Sequence, residues 1–335
     1  MRRIRQSPAG GGRPPLPCAV DESGLLELIA RRSAGLPAEF PAVLVGPGDD
    51  CALVLVGDGP AILKVDQLIM GVHVAPGTPA DLIARKALAR PLSDIAAAAG
   101  KPVCALVSAA LPDLRGADAL FEALHGWSRR FACPLVGGDI AVTRAPAAPM
   151  VLSVTVLGTP HPSRGMARRG GARPGDVLCV TGALGGSFRA RADAEFPFDG
   201  GGKHLTFTPR VAEAAILADA LGDGLHAMMD VSDGLGKDAS RLARASGARI
   251  EIDAASVPID KGATLAGALS DGEDYELLFC CDAARAPRGE LGATGTPVRV
   301  IGRVVEGSGC VVVDESGGTR DAGAFGWDHG AKSAS

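Results

Sequence analysis

Basic charge is in short supply in this chain. Its 34 lysines and arginines face 38 acidic residues, a formal net charge of -4. A general nucleic-acid binder needs a basic stripe to displace counterions, so that class loses ground. A phosphorylated small substrate stays open, because metal ions can supply the positive charge. Long apolar runs are missing too, and nothing approaches the roughly 20 residues that span a bilayer. The N-terminal MRRIRQSPAGGGRPPLP is basic and rich in Gly and Pro, with no apolar stretch. That composition argues against a secretory leader and makes residues 1–20 an expected flexible tail on a cytoplasmic protein. None of the eight cysteines forms a C-x-x-C pair. Most, such as Cys104 and Cys179, sit inside apolar runs, where a free thiol is a small buried hydrophobe.

The common nucleotide and hydrolase motifs are also absent. There is no G-x-x-x-x-G-K-[ST], no G-x-G-x-x-G at a strand-to-helix turn, no G-x-S-x-G and no H-E-x-x-H. What the chain does have is ample apolar material, 47% of its residues, and a length suited to two domains. Period-two apolar runs predict strands at CALVLV, AILKVD, Val103–Leu111, Pro134–Val136, Met150–Gly158, Val177–Thr181, Ala227–Asp230, Arg249–Ile252, Tyr275–Cys281, Val298–Val305 and Val311–Asp314. Helices are expected over Asp21–Ala34, Pro79–Ala99, Ala117–Phe131, Pro209–Leu221 and from SDGL to Ala245. Pro91, lacking an N–H, should kink or split the second of these. Ser187–Phe207 reads as an irregular loop, and Thr159–Pro174 as a domain junction. Interleaved strands and helices in both halves give an α/β fold, in two α+β domains, residues 21–158 and 159–330.

Acidic motifs recur at expected strand ends and turns: GDD (Asp49, Asp50), KVD (Asp66), LSD (Asp94), GGD (Asp139), DVSDG (Asp230, Asp233) and DGED (Asp271, Glu273, Asp274). Singly, each is explained by turn or helix-cap chemistry. Together they would repel one another unless something neutralised them. Magnesium does so: it is hard, prefers oxygen, and bridges one or two carboxylates to phosphate oxygens. The residues therefore point to phosphates held through magnesium without a P-loop.

GPGDDCALV, KVDQLIMGVH, KALARPLSDIAAAAGKP, LVGGD, RRGGARPGDVLCVTG, DVSDGL, SDGEDYELLF and GWDH occur here in the order found in thiamine-monophosphate kinases. From Glu22 to His329 the chain resembles that family, which shares a superfamily with aminoimidazole ribonucleotide synthetase and selenophosphate synthetase. The resemblance implies an N-terminal α/β domain that dimerises through its sheet, a C-terminal α/β domain, and ATP with magnesium between them. It implies direct transfer of the γ-phosphoryl group to thiamine monophosphate by a homodimer. By position, Asp50, Asp66, Asp94, Asp139, Asp230 and Asp233 resemble metal ligands. Gly138, Asp139, Arg169 and Ser232 resemble nucleotide contacts, and His73, Glu273 and Trp327 the substrate side. Bland alternatives accompany the last group: Trp327 as a packing anchor, Glu273 as a turn cap, Arg169 as a solvated linker residue, His73 as a buried hydrogen-bonded histidine.

The chain departs from the family at several points. Lys64 and Val65 stand where Ser-Thr is usual before Asp66, Pro91 where Asn is usual, Ile140-Ala141 where Thr-Thr is usual, Gly186 for an aspartate and Asp271 for a glycine. One reading is a working kinase with fewer metals, in which Lys64 supplies a fixed positive charge. The alternatives are a paralogue acting on another phosphoryl acceptor, or a non-catalytic binder of nucleotide or thiamine phosphates.

Overall fold

The computed structural model describes residues 22–145, 147–187 and 202–326. The expected tail, Trp327 and most of the loop after Ser187 lie outside the described residues. No described helix is long and apolar enough to cross a membrane.

Helices α1 (Glu22–Ser33) and α2 (Leu36–Glu39) lead into a six-stranded sheet of β1 (Val43–Val45), β2 (Ala52–Val56), β3 (Gly59–Ile69), β4 (Gly100–Leu111), β5 (Leu135–Val142) and β6 (Val151–Pro160). Its order is β1-β2-β3-β6-β4-β5, and only β4–β5 is parallel. Helices α3 (Ala80–Ala97) and α4 (Ala117–Arg130) supply the cover on one face. In β6 that face takes Leu152, Val154 and Val156, while Ser153 and Thr155 alternate outward half-buried. The other face has no cover among the described residues, and Leu63, Val65 and Leu106 lie exposed on it.

The second sheet comprises β7 (Asp176–Thr181), β8 (Leu225–Asp230), β9 (Arg249–Asp253), β10 (Leu277–Asp282), β11 (Gly289–Leu291), β12 (Thr296–Val305), β13 (Gly309–Val313) and β14 (Thr319–Asp321). Its path is β14-β13-β9-β12-β7-β10-β8, with β11 on β12 and only β13–β9 parallel. Helices α5 (Lys203–Thr206), α6 (Val211–Leu221), α7 (Leu235–Ser246) and α8 (Leu265–Ser270) complete it. The interleaved order expected from sequence is present, but both sheets are mostly antiparallel, so each half is α+β in detail. The expected irregular stretch up to Phe207 contains one short helix, α5.

Pro91 does not split α3, which runs 18 residues unbroken with Pro91 inside and buried. A proline inside a helix costs about 3 kcal/mol. Here 14 of the helix's residues are buried, and packing on all sides offsets that cost. The helix serves both halves. Ile83, Leu88, Leu92 and Ile95 join the core of the first sheet, while Ala96 and Ala97, with Ala99 just beyond, join Leu217, Met228 and Phe279 of the second.

Candidate active site

Three carboxylates from three separate segments meet where the halves touch. Asp50 ends the GPGDD turn before β2, Asp94 lies on α3, and Asp230 ends β8. Each offers an oxygen within 4.8 Å of the others, and all three are buried. Asp94 and Asp230 border a cavity of about 480 Å³ also lined by Lys64, Asp66, His73, Arg90, Arg169, Ser232 and Asp233. A second cavity of about 520 Å³ shares Leu26, Arg169 and Arg241 and reaches Phe325 and Gly326, the residue before Trp327.

The partners of these carboxylates differ. Asp50 pairs with Arg169 at 2.6 Å, Asp94 with Lys64 at 2.8 Å, Asp66 with Arg90 at 3.1 Å and Asp233 with Arg241 at 2.6 Å. Among the described residues no cation pairs with Asp230, which accepts a 2.6 Å bond from the Ser93 hydroxyl. Burial, with Asp94 and Asp50 close by, pushes the Asp230 carboxyl well above its usual range. Burial likewise lifts Asp94 to about 7, against the pull of Lys64 and with the push of Asp66 and Asp50. Lys64 answers in kind: burial disfavours its ammonium, but Asp94 and Asp66 more than offset that and hold its pKa above the ordinary lysine value.

Backbone pairing explains why the DVSDG and DGED motifs meet. β8 and β10 are neighbours, with Leu277 opposite Asp230. The pairing continues past the strands: Tyr275 and Glu273 donate from their N–H groups to Val231 and Ser232, both at 2.8 Å. The approach is so close that a Cβ on Gly272 (φ 67°) would meet the Ser232 carbonyl at 2.5 Å. Asp238, in the first turn of α7, accepts from the N–H groups of Ser232 and Asp233 at 3.0 and 2.9 Å and so fixes this turn.

On the expected substrate side, His73 is buried and its Nδ1 accepts from the Ile69 N–H at 2.9 Å. The neutral ring therefore carries its proton on Nε2. Glu273 is buried against Lys86, 2.9 Å away, and Lys86 also donates to the His73 carbonyl at 2.6 Å. Arg169 is no solvated linker residue; besides Asp50 it engages Asp49 through its N–H at 3.1 Å. Trp327 lies outside the described residues.

Asp139 is not brought to the cluster. It lies within β5, not after a strand, and is exposed. Across the sheet Asp66 stands opposite Val154, Val154 opposite Val107 and Val107 opposite Gly138; Asp139 falls in line with Ser108, Ser153 and Gln67. Directly opposed residues share a face, so Asp66 points to the helix-covered side and Asp139 to the bare side. Three strand spacings, about 14 Å, separate them. Gly138 has a structural reason to be glycine, since a Cβ there would meet the Val107 carbonyl at 1.8 Å.

The departures now have locations. Alternation on β3 turns Lys64 and Asp66 inward and Val65 outward, so of the Lys64-Val65 pair only Lys64 faces the cluster. Gly186 leaves room for Asp260 and Lys203, whose atoms would lie 2.3 and 2.9 Å from a Cβ. Ile140 and Ala141 lie on the exposed edge strand. Sequence reasoning missed Ser93, Lys86, Arg90, Asp238 and Arg241. The helical spacing from Lys86 through Arg90 to Asp94, i to i+4 twice, was the available signal for a shared face.

Residues 48–159 match the AIR synthase related protein, N-terminal domain, and residues 173–315 its C-terminal domain. The chain is 35% identical to the thiamine-monophosphate kinase of Rhodopirellula baltica, over 82% of this chain and 88% of that one. To the thiamine-monophosphate kinase of Escherichia coli K12 it is 34% identical, over 91% and 98%. Among solved structures it is similar to AaThiL complexed with AMPPCP and TMP, with a TM-score of 0.73 and 28% identity over 92% of this chain and 97% of that one. The hydrogenase maturation protein HypE shares the fold, with a TM-score of 0.65 at 18% identity over 84% and 92%.

Proposed function

The chain belongs to the AIR synthase related proteins, in the branch of the thiamine-monophosphate kinases, and on that premise we propose that it transfers the γ-phosphoryl group of ATP to thiamine monophosphate, giving thiamine diphosphate. The observation that carries this reading is the buried trio Asp50, Asp94 and Asp230 beside a cavity lined from both halves. The trio fits magnesium: its donors are hard oxygens, and Asp50 Oδ2 is buried with no hydrogen-bond partner among the described residues. Bound there, magnesium would neutralise charge on the phosphoryl group in flight.

The rest falls to the chain's own groups, whose work is binding and alignment. Asp66 and Asp233 line the same cavity and extend the acidic wall. Arg169 and Ser232 lie within reach of a nucleotide seated there. His73 lines the cavity on the side assigned to the phosphoryl acceptor. Glu273, Lys86 and Trp327 belong to the acceptor's side in this reading. No covalent enzyme intermediate is required.

The sheet's bare face supports a homodimer. Leu63, Val65 and Leu106 lie exposed there with Asp139 on the same side, so residues 21–158 form the dimerising and nucleotide-binding domain and 159–330 the second domain. Gly138 and Asp139 then stand at the seam between copies, where they can serve a shared nucleotide site. As an ATP-using enzyme the protein is assigned to the cytoplasm.

ADP release by the purified protein, followed with and without thiamine monophosphate and magnesium, tests the reading. Turnover is expected only with both present. Stabilisation by ATP without turnover would instead make the chain a nucleotide-binding protein.

A further inference from the structure

Two of the cluster's cations are arranged differently from the rest. Lys64 and Asp66 sit two residues apart on the inner face of β3, and Arg90 and Asp94 sit one turn apart on α3. Their pairings cross between the elements: the strand's Lys64 holds the helix's Asp94 at 2.8 Å, and the helix's Arg90 holds the strand's Asp66 at 3.1 Å. Arg90 adds a 2.7 Å bond from Nη1 to the Gln67 carbonyl. This is a closed two-by-two exchange within one domain, with all four side chains at most a quarter exposed. Arg169 and Arg241, by contrast, reach their carboxylates from segments belonging to the second half of the chain.

We propose that Lys64 and Arg90 are built-in cations that occupy Asp94 and Asp66 in place of a divalent ion, confining metal to the Asp50–Asp94–Asp230 trio. The charge count agrees. Of the five carboxylates in the cluster, Asp50, Asp66 and Asp94 each pair with a cation of their own, Asp233 shares Arg241 with the buried Asp238, and only Asp230 pairs with none among the described residues. A second or third divalent ion would meet little uncompensated negative charge and two fixed positive groups at short range, a repulsion that grows in a buried site. Lys64 meets Asp94 at one oxygen, Oδ1, and a carboxylate has two, so the exchange and one metal are compatible. Lys64 and Arg90 are positioning residues: they fix β3 to α3 and set where Asp66 and Asp94 stand.

This inference rests on the magnesium reading of the trio but not on the identity of the phosphoryl acceptor, so its test leaves turnover out. Manganese bound per chain is counted by equilibrium dialysis and by electron paramagnetic resonance, with a saturating non-hydrolysable ATP analogue and no thiamine monophosphate. Lys64→Ser/Arg90→Leu is expected to bind at least one more manganese per chain than the unmodified protein. Lys64→Arg/Arg90→Lys, which keeps both charges, is expected to bind the same number as the unmodified protein. Each single variant is counted as well, so that a fold too weakened in the double variant leaves the comparison intact. Equal counts in the charge-removing and charge-keeping variants would overturn the proposal while leaving the magnesium reading standing. No manganese in any of them, with the analogue bound, would overturn both.

Discussion

Two buried acidic clusters lie within this fold, and they are built to opposite ends. Around Glu276 every demand is met: Arg210 reaches its two oxygens at 2.7 Å each, the Thr181 hydroxyl adds a 2.7 Å bond, and Lys203 stands at 3.0 Å. Around Asp230 there is one hydroxyl and two more carboxylates. The two side chains are almost equally buried, at 1% and 2% exposure. Burial raises both, yet the hydrogen bonds and charges of Arg210 and Lys203 bring Glu276 below its ordinary value, while Asp230 stays well above. Burial alone therefore does not mark a functional carboxylate. What marks it is burial with the compensating charge left out, a deficit that an incoming cation removes. Asp274, next to Glu276, is intermediate: burial lifts it to about 7 even though the Gly185 and Gly186 N–H groups and a more distant Lys203 pull the other way.

Paired substitutions test this contrast most severely. Asp230→Asn is expected to lower kcat/KM on the order of a thousandfold, about 4 kcal/mol of transition-state stabilisation, with an unchanged or higher melting temperature. Glu276→Gln is expected to do the reverse. It strands Arg210 and Lys203 and costs about 3 kcal/mol of folding stability, with kcat largely kept at a temperature where the variant is folded. An exchange of these two phenotypes would break the comparison.

A smaller effect sharpens it. Magnesium at a hundredfold excess over its dissociation constant should stabilise the unmodified protein by about 2.7 kcal/mol, and Glu276→Gln by the same increment, but Asp230→Asn by much less. Chemical unfolding with and without magnesium measures this. Equal increments in all three proteins would place the ion elsewhere.

A third contrast is in pH. Asp94 titrates at about 7 in the fold against an ordinary 3.8. The folded protein thus holds a proton that the unfolded chain has released, and the associated stability, full below 3.8, is lost as pH rises through about 7. Glu276, depressed in the fold from its ordinary 4.5, contributes stability present above 4.5 and lost as pH falls through its lowered value. For the metal-free protein, Asp94→Asn should flatten the decline between pH 4 and 7, and Glu276→Gln should flatten the acid limb. Unfolding curves across pH in the presence of a chelator would show both, and an unchanged slope in either variant counts against its assignment.

The carboxylates of the site were legible in the sequence, because Asp50, Asp94 and Asp230 each sit in a short motif at a turn, a helix or a strand end. Their cations were harder to read. Lys64 and Arg90 lie inside a strand and a helix, and only the tertiary packing of β3 on α3 pairs them with Asp94 and Asp66. Asp139 shows the converse: its motif is as clear as the others, but the period-two alternation of β5 sends it to the opposite face of the sheet from Asp66, and one residue of register decides that. Pro91 was read by its local cost alone, whereas the burial around it belongs to the whole domain. Strands such as β6 were plain from alternation, while β11 and β14, three residues each, are too short to leave a periodic signal.

Helix α3 has a consequence for how the chain is made. Its first turns complete the core of the leading half, but Ala96 and Ala97, with Ala99 beyond them, are covered by residues such as Leu217 and Phe279, more than a hundred positions later. On the ribosome the leading half emerges with that end of α3 bare and awaits the trailing half for several seconds at ordinary rates of synthesis, roughly 5–20 residues per second. The carboxylate trio, which needs Asp230 of the trailing half beside Asp50 and Asp94 of the leading half, is therefore assembled only once that part of the trailing half has been made.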